Sequence, residues 1–301
     1  MASKIASSVA LWACTSRSRP RGRHSCSIRV TIVMDPHICA ALADLNRTFY
    51  AGFADDFAAT RQSWPLSYER ILPHLRDAAN VLDLGCGNGR LLAFLVERGW
   101  RGRYRGLDSS PELLAIARRN ALSSCTAGDP VRPGPQAAER SAGQPMAPAA
   151  NLSQAEFVWA DLLSSEWVGA VAGFAPEVIA GLAVLHHIPA AANRLRFVAD
   201  CAALLRSGGR LIVSTWQFIT AARLRTRILP WAAVGLRDED VEPDDYLISW
   251  GEQAAGRRYC AAINADALGR LAESAGLEQI DTFYADGREG NLNLYGIYRK
   301  P

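Results

Sequence analysis

No two of the seven cysteines form a C-x-x-C pair, and their spacings do not repeat. That odd, dispersed set excludes a disulfide framework and a zinc site built on paired cysteines. It suits a reducing compartment in which free thiols pack like small apolar groups. An uninterrupted apolar run is missing as well. The longest, Val168 to Ile188, is cut by Pro176 and Glu177 and carries two histidines near its end, whereas a bilayer span needs about 20 apolar residues; no membrane partner is expected. Acids are absent from the first 33 positions, which hold Lys4, Arg17, Arg19, Arg21, Arg23 and Arg29. Discounting those six cations turns the net charge of +3 into −3 for Met34 to Pro301, which weakens bulk charge as an argument for nucleic-acid binding.

What is present is an ordinary globular composition, 49% hydrophobic and 21% charged over 301 residues, which excludes a largely disordered chain and leaves room for a sizeable core. Residues 1–33 are rich in serine and arginine, the composition of an organelle transit peptide; the alternative is a spurious extension with the true start at Met34. Either way they are set aside, and the expected location is the cytoplasm, or an organelle if the leader is genuine. Residues 34–301 read as a single domain.

Within that domain, a helical region over Ile38 to Leu75 is broken near Trp64-Pro65, and Phe49, Tyr50, Phe53 and Phe57 recur at spacings that place aromatics on one helix face as core. Strands and helices then alternate. Strands are expected at Asn80–Leu84, Tyr104–Leu107, Phe157–Ala160, Val178–Leu185 and Arg210–Thr215. Helices are expected at Arg90–Arg98, from Pro111 onward, at Ala190–Leu205 and at Asn264–Ala275. Two stretches break the rhythm: a Pro/Ala/Gly/Ser-rich loop insertion at Ser123–Gln154, and a lid-like insertion at Trp216–Arg258. The chain closes on two strands around a turn at Asp286–Asn291. The pattern predicts an α/β fold, a Rossmann-like, doubly wound and mostly parallel sheet with a C-terminal antiparallel hairpin.

The strongest local signal is Val81-Leu82-Asp83-Leu84-Gly85-Cys86-Gly87-Asn88-Gly89, a buried strand running into a glycine loop that opens a helix. Glycines there permit a tight turn and close approach of a ligand, and the helix N-terminus offers amides to polar groups. The dinucleotide fingerprint would place glycine at position 90, where Arg90 stands. Asp83 suits an aminoacyl ligand better than a pyrophosphate, because a carboxylate attracts an ammonium and repels phosphate. These details favour S-adenosylmethionine over NAD. Asp108, with Ser109 beside it, follows the loop at close to the distance of a ribose-binding acid; its alternative is to cap the helix at Pro111. Asp161 is placed to accept from the adenine amine, with Leu162 giving backbone contacts; its alternative is an N-cap.

This combination resembles the class I S-adenosylmethionine-dependent methyltransferases, across about Val81 to Thr215 and in the closing hairpin. The resemblance implies cofactor contacts at Asp83, Gly85, Cys86, Gly87, Asn88, Asp108, Ser109, Asp161, Leu162 and Ala183. Within that superfamily, Gly181-Leu182-Ala183-Val184-Leu185-His186-His187-Ile188-Pro189 is similar to a segment of the tRNA wobble-uridine methyltransferases, which esterify a carboxymethyl group. Trp216, Arg258-Tyr259 and Gly290-Asn291 fit the same group, whereas Tyr259-Cys260-Ala261 departs from it. The implied partners are tRNA and a small activator subunit; the alternatives are a free small-molecule acceptor or a non-catalytic cofactor-binding scaffold. An intact glycine loop with both acids argues against the scaffold.

His186 and His187 are the candidate catalytic residues, at the C-terminal end of the fourth strand where open α/β sheets place their ligands. One is a candidate base or orienting group; the alternative packs His187 on the sheet and turns His186 to the cofactor. No metal is expected, since neighbours on a strand point to opposite faces and no third ligand is evident. Tyr50, Arg61 and Arg258 are candidates for closing over the cofactor or holding an acidic group.

Overall fold

The computed structural model describes residues 34–61, 63–126, 154–251 and 255–301. The leader at 1–33 and positions 127–153 of the expected loop insertion lie outside the described residues, as do Gln62 and positions 252–254 of the lid-like insertion. Three helices precede the first strand: α1 (Pro36–Gly52), α2 (Ala54–Ala59) and α3 (Leu66–Ile71). α1 starts where local chemistry allows it, with proline in its first turn and the Asp35 carboxylate accepting from the His37 amide at 2.7 Å.

Short β-rich apolar runs then form strands separated by helices. In chain order these are β1 (Asn80–Leu84), α4 (Arg90–Glu97), β2 (Arg103–Asp108), α5 (Pro111–Thr126), β3 (Ala155–Trp159), β4 (Val178–Leu182), α6 (Ala191–Leu204) and β5 (Arg210–Trp216). The first five strands are parallel, and the last two, β9 (Glu278–Ala285) and β10 (Asn293–Arg299), close the sheet antiparallel. The order is β3-β2-β1-β4-β5-β10-β9. Alternation along the strands fills both faces: Leu82, Ile179 and Leu211 join one core, while Val81, Val178 and Ile212 join the other. The strand order reverses between β1 and β4, so a crevice opens there at the carboxyl ends of the strands.

Two expectations are corrected. β4 stops at Leu182 instead of Leu185, because Ala183 takes a left-handed conformation (φ 59°) and its amide turns to Ser214. α5 runs on through Ser123–Thr126, which the sequence assigns to a loop. The lid-like insertion has a sheet of its own. After α7 (Ala222–Arg225), strands β6 (Ile228–Leu229), β7 (Asp245–Trp250) and β8 (Gly256–Ala261) pair antiparallel, and α8 (Ala265–Ser274) returns the chain to the main sheet.

A side chain fastens α1 to this second sheet. Asn46 accepts from the Tyr259 amide at 2.8 Å and donates to the carbonyls of Tyr259 and His187, each at 3.3 Å. β8 lies at the edge of its sheet, and the Asn46 amide supplies the donor and acceptor that a further strand would have offered. No helix among the described residues is long and apolar enough to cross a membrane.

Candidate active site

The loop after β1 needs glycine for two reasons. Gly85, Gly87 and Gly89 all have positive φ, at 69°, 54° and 77°. A Cβ on Gly85 would also lie 2.3 Å from Val184 Cγ2, so the loop and the turn after β4 approach closely only without a side chain there. Asp108, at the end of β2, ties the loop down: one carboxylate oxygen accepts from the Gly87 amide at 2.8 Å and the other from Ser110 at 2.9 Å. The cap of α5 falls to the Ser110 hydroxyl, which accepts from Leu113 at 3.2 Å, rather than to Asp108. Each carboxylate oxygen keeps a second lone pair that can receive a ligand hydroxyl.

Asp83 is 3% exposed and accepts from the Tyr104 hydroxyl at 2.5 Å. Burial pushes its carboxyl up to about 7; the Tyr104 hydrogen bond opposes this and the Asp108 charge adds to it. A buried acid poised near neutrality gains strongly from a cationic ligand. Asp161 accepts from the Leu163 amide at 3.0 Å and from Arg47, on α1, at 2.9 Å.

These groups border one cavity of about 410 Å³ between the carboxyl ends of the strands and the N-terminal helices. The candidate cofactor-contact, catalytic and lid residues read from the sequence all line it, from Asp83 and the loop residues Gly85 to Asn88 to Tyr50, Arg61, Arg258 and the two histidines. Of the aromatic stripe expected to be core, Phe49 is buried, but Tyr50 and Phe57 face the cavity. Arg47, Asn46 and Trp250 line it without having been foreseen. Nothing near them in sequence marks them, because α1 and β7 reach the cavity only through tertiary packing.

His186 and His187 are not on a strand. They occupy one 3-10 turn, with ring centroids 4.3 Å apart, so they share a side of the cavity instead of pointing to opposite faces. Their tautomers follow from their partners. His187 Nδ1 faces the Tyr259 carbonyl at 3.0 Å and therefore carries the proton, which leaves Nε2 to accept from the Tyr50 hydroxyl at 2.9 Å. His186 Nδ1 receives the Trp216 amide at 3.3 Å, so Nε2 bears the hydrogen. Burial lowers both, with His187 reaching about 3 and His186 falling well below the usual range; His187 and Arg258 add to the depression of His186, and Arg258 to that of His187. Both are neutral at physiological pH, and each accepting nitrogen is already engaged.

The fold also brings in a third soft donor that the sequence spacing hides. Cys260 Sγ lies within 4.8 Å of ligand atoms of both histidines. Its thiol is pushed up to about 12 by burial, and it stands 3.7 Å from the protonated His187 Nδ1. With thiol and imidazoles occupied in this way, and Arg258 alongside, the cluster is a hydrogen-bonded one rather than a preformed metal ligand set.

Arg258, on β8, is 5% exposed. Its guanidinium stacks against Trp216, Phe49 and Trp250, at 4.6, 5.2 and 5.2 Å from the ring centroids. Arg61 lies over Phe57 at 3.3 Å and donates to the Phe57 carbonyl at 3.2 Å. Burial draws it down to about 10, and Arg90 and Arg258 add repulsion. The cavity thus carries cations on its N-terminal and β8 walls, and acids on its β1 and β2 walls.

The family described as a methyltransferase domain matches residues 57–282. A trans-aconitate 2-methyltransferase of Azoarcus sp. (strain BH72) is 56% identical over 45 residues, 15% of this chain and 18% of that enzyme. A ubiquinone biosynthesis O-methyltransferase of Xanthomonas axonopodis pv. citri (strain 306) is 26% identical over 192 residues, 59% of this chain and 66% of that enzyme. These matches span less than two thirds of either relative's length. Among solved structures, the 1,6-didemethyltoxoflavin-N1-methyltransferase of Burkholderia thailandensis superposes with a TM-score of 0.51 at 20% identity, covering 89% of this chain and 91% of that one. The shared architecture is the class I fold.

Proposed function

The chain belongs to the methyltransferase-domain family, and from the geometry of its cavity we propose that it transfers the methyl group of S-adenosylmethionine to a carboxylate of a small organic acceptor. The residues fit that cofactor. The glycine loop leaves a cradle that a Cβ on Gly85 would fill, Asp108 is placed for ribose hydroxyls, and buried Asp83 is suited to an ammonium. Asp161 and Leu162 border the side where the adenine would lie. When bound, the cofactor supplies a methyl group already activated on a sulfonium. The protein's contribution is then alignment and exclusion of water, and orientation of this kind is worth roughly 7–11 kcal/mol when reacting atoms are held in attack geometry.

The carboxylate acceptor rests on one observation: apart from Asp83, Asp108 and Asp161, which suit the cofactor, the acid and the imidazoles that line the cavity already have their accepting atoms engaged. The accepting nitrogens of His186 and His187 are occupied by Trp216 and Tyr50. The Asp286 carboxylate receives Ser67, Asn293 and Tyr295. A hydroxyl or ammonium acceptor must lose a proton on the way, whereas a carboxylate reacts as the anion it already is. A free acceptor is favoured over a carboxymethyl group carried on tRNA, because residues 34–301 are net acidic and the cavity is walled by α1 and β8.

The test supplies methyl-labelled S-adenosylmethionine with a panel of small carboxylic acids, the matching amides, and bulk tRNA. Label entering the acids as alkali-labile ester is the expected result. Label confined to alkali-stable products would overturn the carboxylate reading, and label in tRNA alone would move the acceptor to nucleic acid.

A further inference from the structure

Arg258 presents an unusual balance of forces. A buried cation is costly unless it is paired and hydrogen-bonded, yet no carboxylate among the described residues forms an ion pair with it. Its Nε hydrogen is buried without a hydrogen-bond partner. Buried arginine is handled differently elsewhere in the same fold: Arg194 is held by Glu242 at 2.5 Å and by the Ile188 carbonyl and Tyr259 hydroxyl, each at 3.0 Å. Aromatic rings position Arg258 and supply part of its stabilisation, but a ring face accepts no in-plane N–H bond.

Next to it stands a second unspent donor. The Trp216 amide fixes hydrogen on His186 Nε2, and His186 is likewise buried on the cavity wall. Arg258 and His186 both face Trp216, whose ring lies 4.6 Å from the guanidinium and 6.4 Å from the imidazole. A planar fork of guanidinium hydrogens beside one imidazole N–H matches a flat, two-oxygen anion. The cofactor's own acids, Asp83 and Asp108, lie at the ends of β1 and β2, whereas Arg258 lies on β8 against Trp216 at the end of β5.

We propose that Arg258, boxed by Phe49, Trp216 and Trp250 and joined by His186 Nε2–H, is the subsite that selects the acceptor by binding its carboxylate. This rests on the methyltransferase reading above and adds where the acceptor's charge is held. Arg258 and His186 thereby become specificity residues for a small carboxylic acid.

The test is calorimetric titration of the full-length protein with benzoate, trans-aconitate, benzamide and inorganic phosphate, with and without saturating S-adenosylhomocysteine. Both carboxylates are expected to bind and benzamide is not. Arg258→Gln is expected to weaken carboxylate binding on the order of tenfold to a hundredfold, with S-adenosylhomocysteine affinity unchanged. Arg258→Lys, which keeps charge but not the fork, should fall between. Equal binding of benzoate and benzamide to the wild type overturns the proposal without recourse to any variant. So does binding of phosphate without carboxylates, absence of carboxylate binding, or carboxylate affinity unmoved in a folded Arg258→Gln. Failure of S-adenosylhomocysteine to bind would instead sink the cofactor reading, while the carboxylate arm still reads Arg258 directly.

Discussion

The hydroxyl of Tyr50 donates to Nε2 of His187 at 2.9 Å, joining α1 to the turn after β4. The direction of that bond is not free: the Tyr259 carbonyl at Nδ1 fixes the imidazole tautomer, so the phenol has to give its proton. Tyr50→Phe should therefore leave the ring packing against Phe49 and Phe57 intact and cost about 1 kcal/mol for the lost bond and the accepting nitrogen left bare. Urea unfolding of the two proteins checks the stability, and acceptor KM in the same pair reads whether His187 still holds its place.

The neutral histidines give a pH dependence with a definite sign. An unfolded histidine titrates near about 6.5, whereas His187 in the fold is lowered to about 3. Between those values the unfolded chain binds more protons, so stability falls as pH drops through that window and is fully present above it. His187→Gln should flatten the fall measured by urea midpoints between about pH 7 and pH 5. Turnover should show no histidine inflection over about pH 6 to 8.

Asp83 behaves in the opposite sense. Its carboxyl is raised from 3.8 to about 7, so its contribution to the stability of the free fold is present at low pH and lost as pH rises through about 7. An ammonium bound beside it would restore the carboxylate. Cofactor binding should then expel a proton and weaken as pH drops below that value. Calorimetry in two buffers of different ionisation enthalpy measures the released proton, which Asp83→Asn should abolish.

Asn46 is the clasp between α1 and β8, and its amide is chosen for carrying both a donor and an acceptor. Asn46→Asp would turn an oxygen toward the carbonyls of Tyr259 and His187, in a buried setting. A loss of about 2–4 kcal/mol is expected, well above that of a surface change, together with weaker acceptor binding as α1 loosens. Denaturant midpoints of the variant and of Asn46→Ala separate the repulsion from the simple loss of bonds.

The sheet and the cavity wall around the glycine loop are readable because their signals are local. The run from Val81 to Gly89 carries strand, turn and helix start within nine residues, Asp108 ends β2, and Asp161 follows β3 by two residues. The opposite wall is readable only as single residues, Arg258, Trp216 and the two histidines, and not as a group, because it is assembled from distant pieces. Phe49 on α1, Trp216 on β5, and Trp250 and Arg258 on β7 and β8 are brought together by tertiary packing alone. The strand expected at Val178–Leu185 overran for a related reason. Val184 and Leu185 are apolar enough to continue it, but the bend at Ala183 follows from the Ser214 hydrogen bond, which no neighbour in sequence announces. Misplacing that bend put the histidines on opposite faces and hid Cys260 beside them.

Titration of the whole chain with S-adenosylmethionine, S-adenosylhomocysteine and NAD tests most directly which cofactor it binds. Binding of the two adenosyl compounds, with NAD inert and Asp108→Ala unable to bind either, is the predicted result. Binding of NAD, or of none of the three by a folded protein, would contradict it.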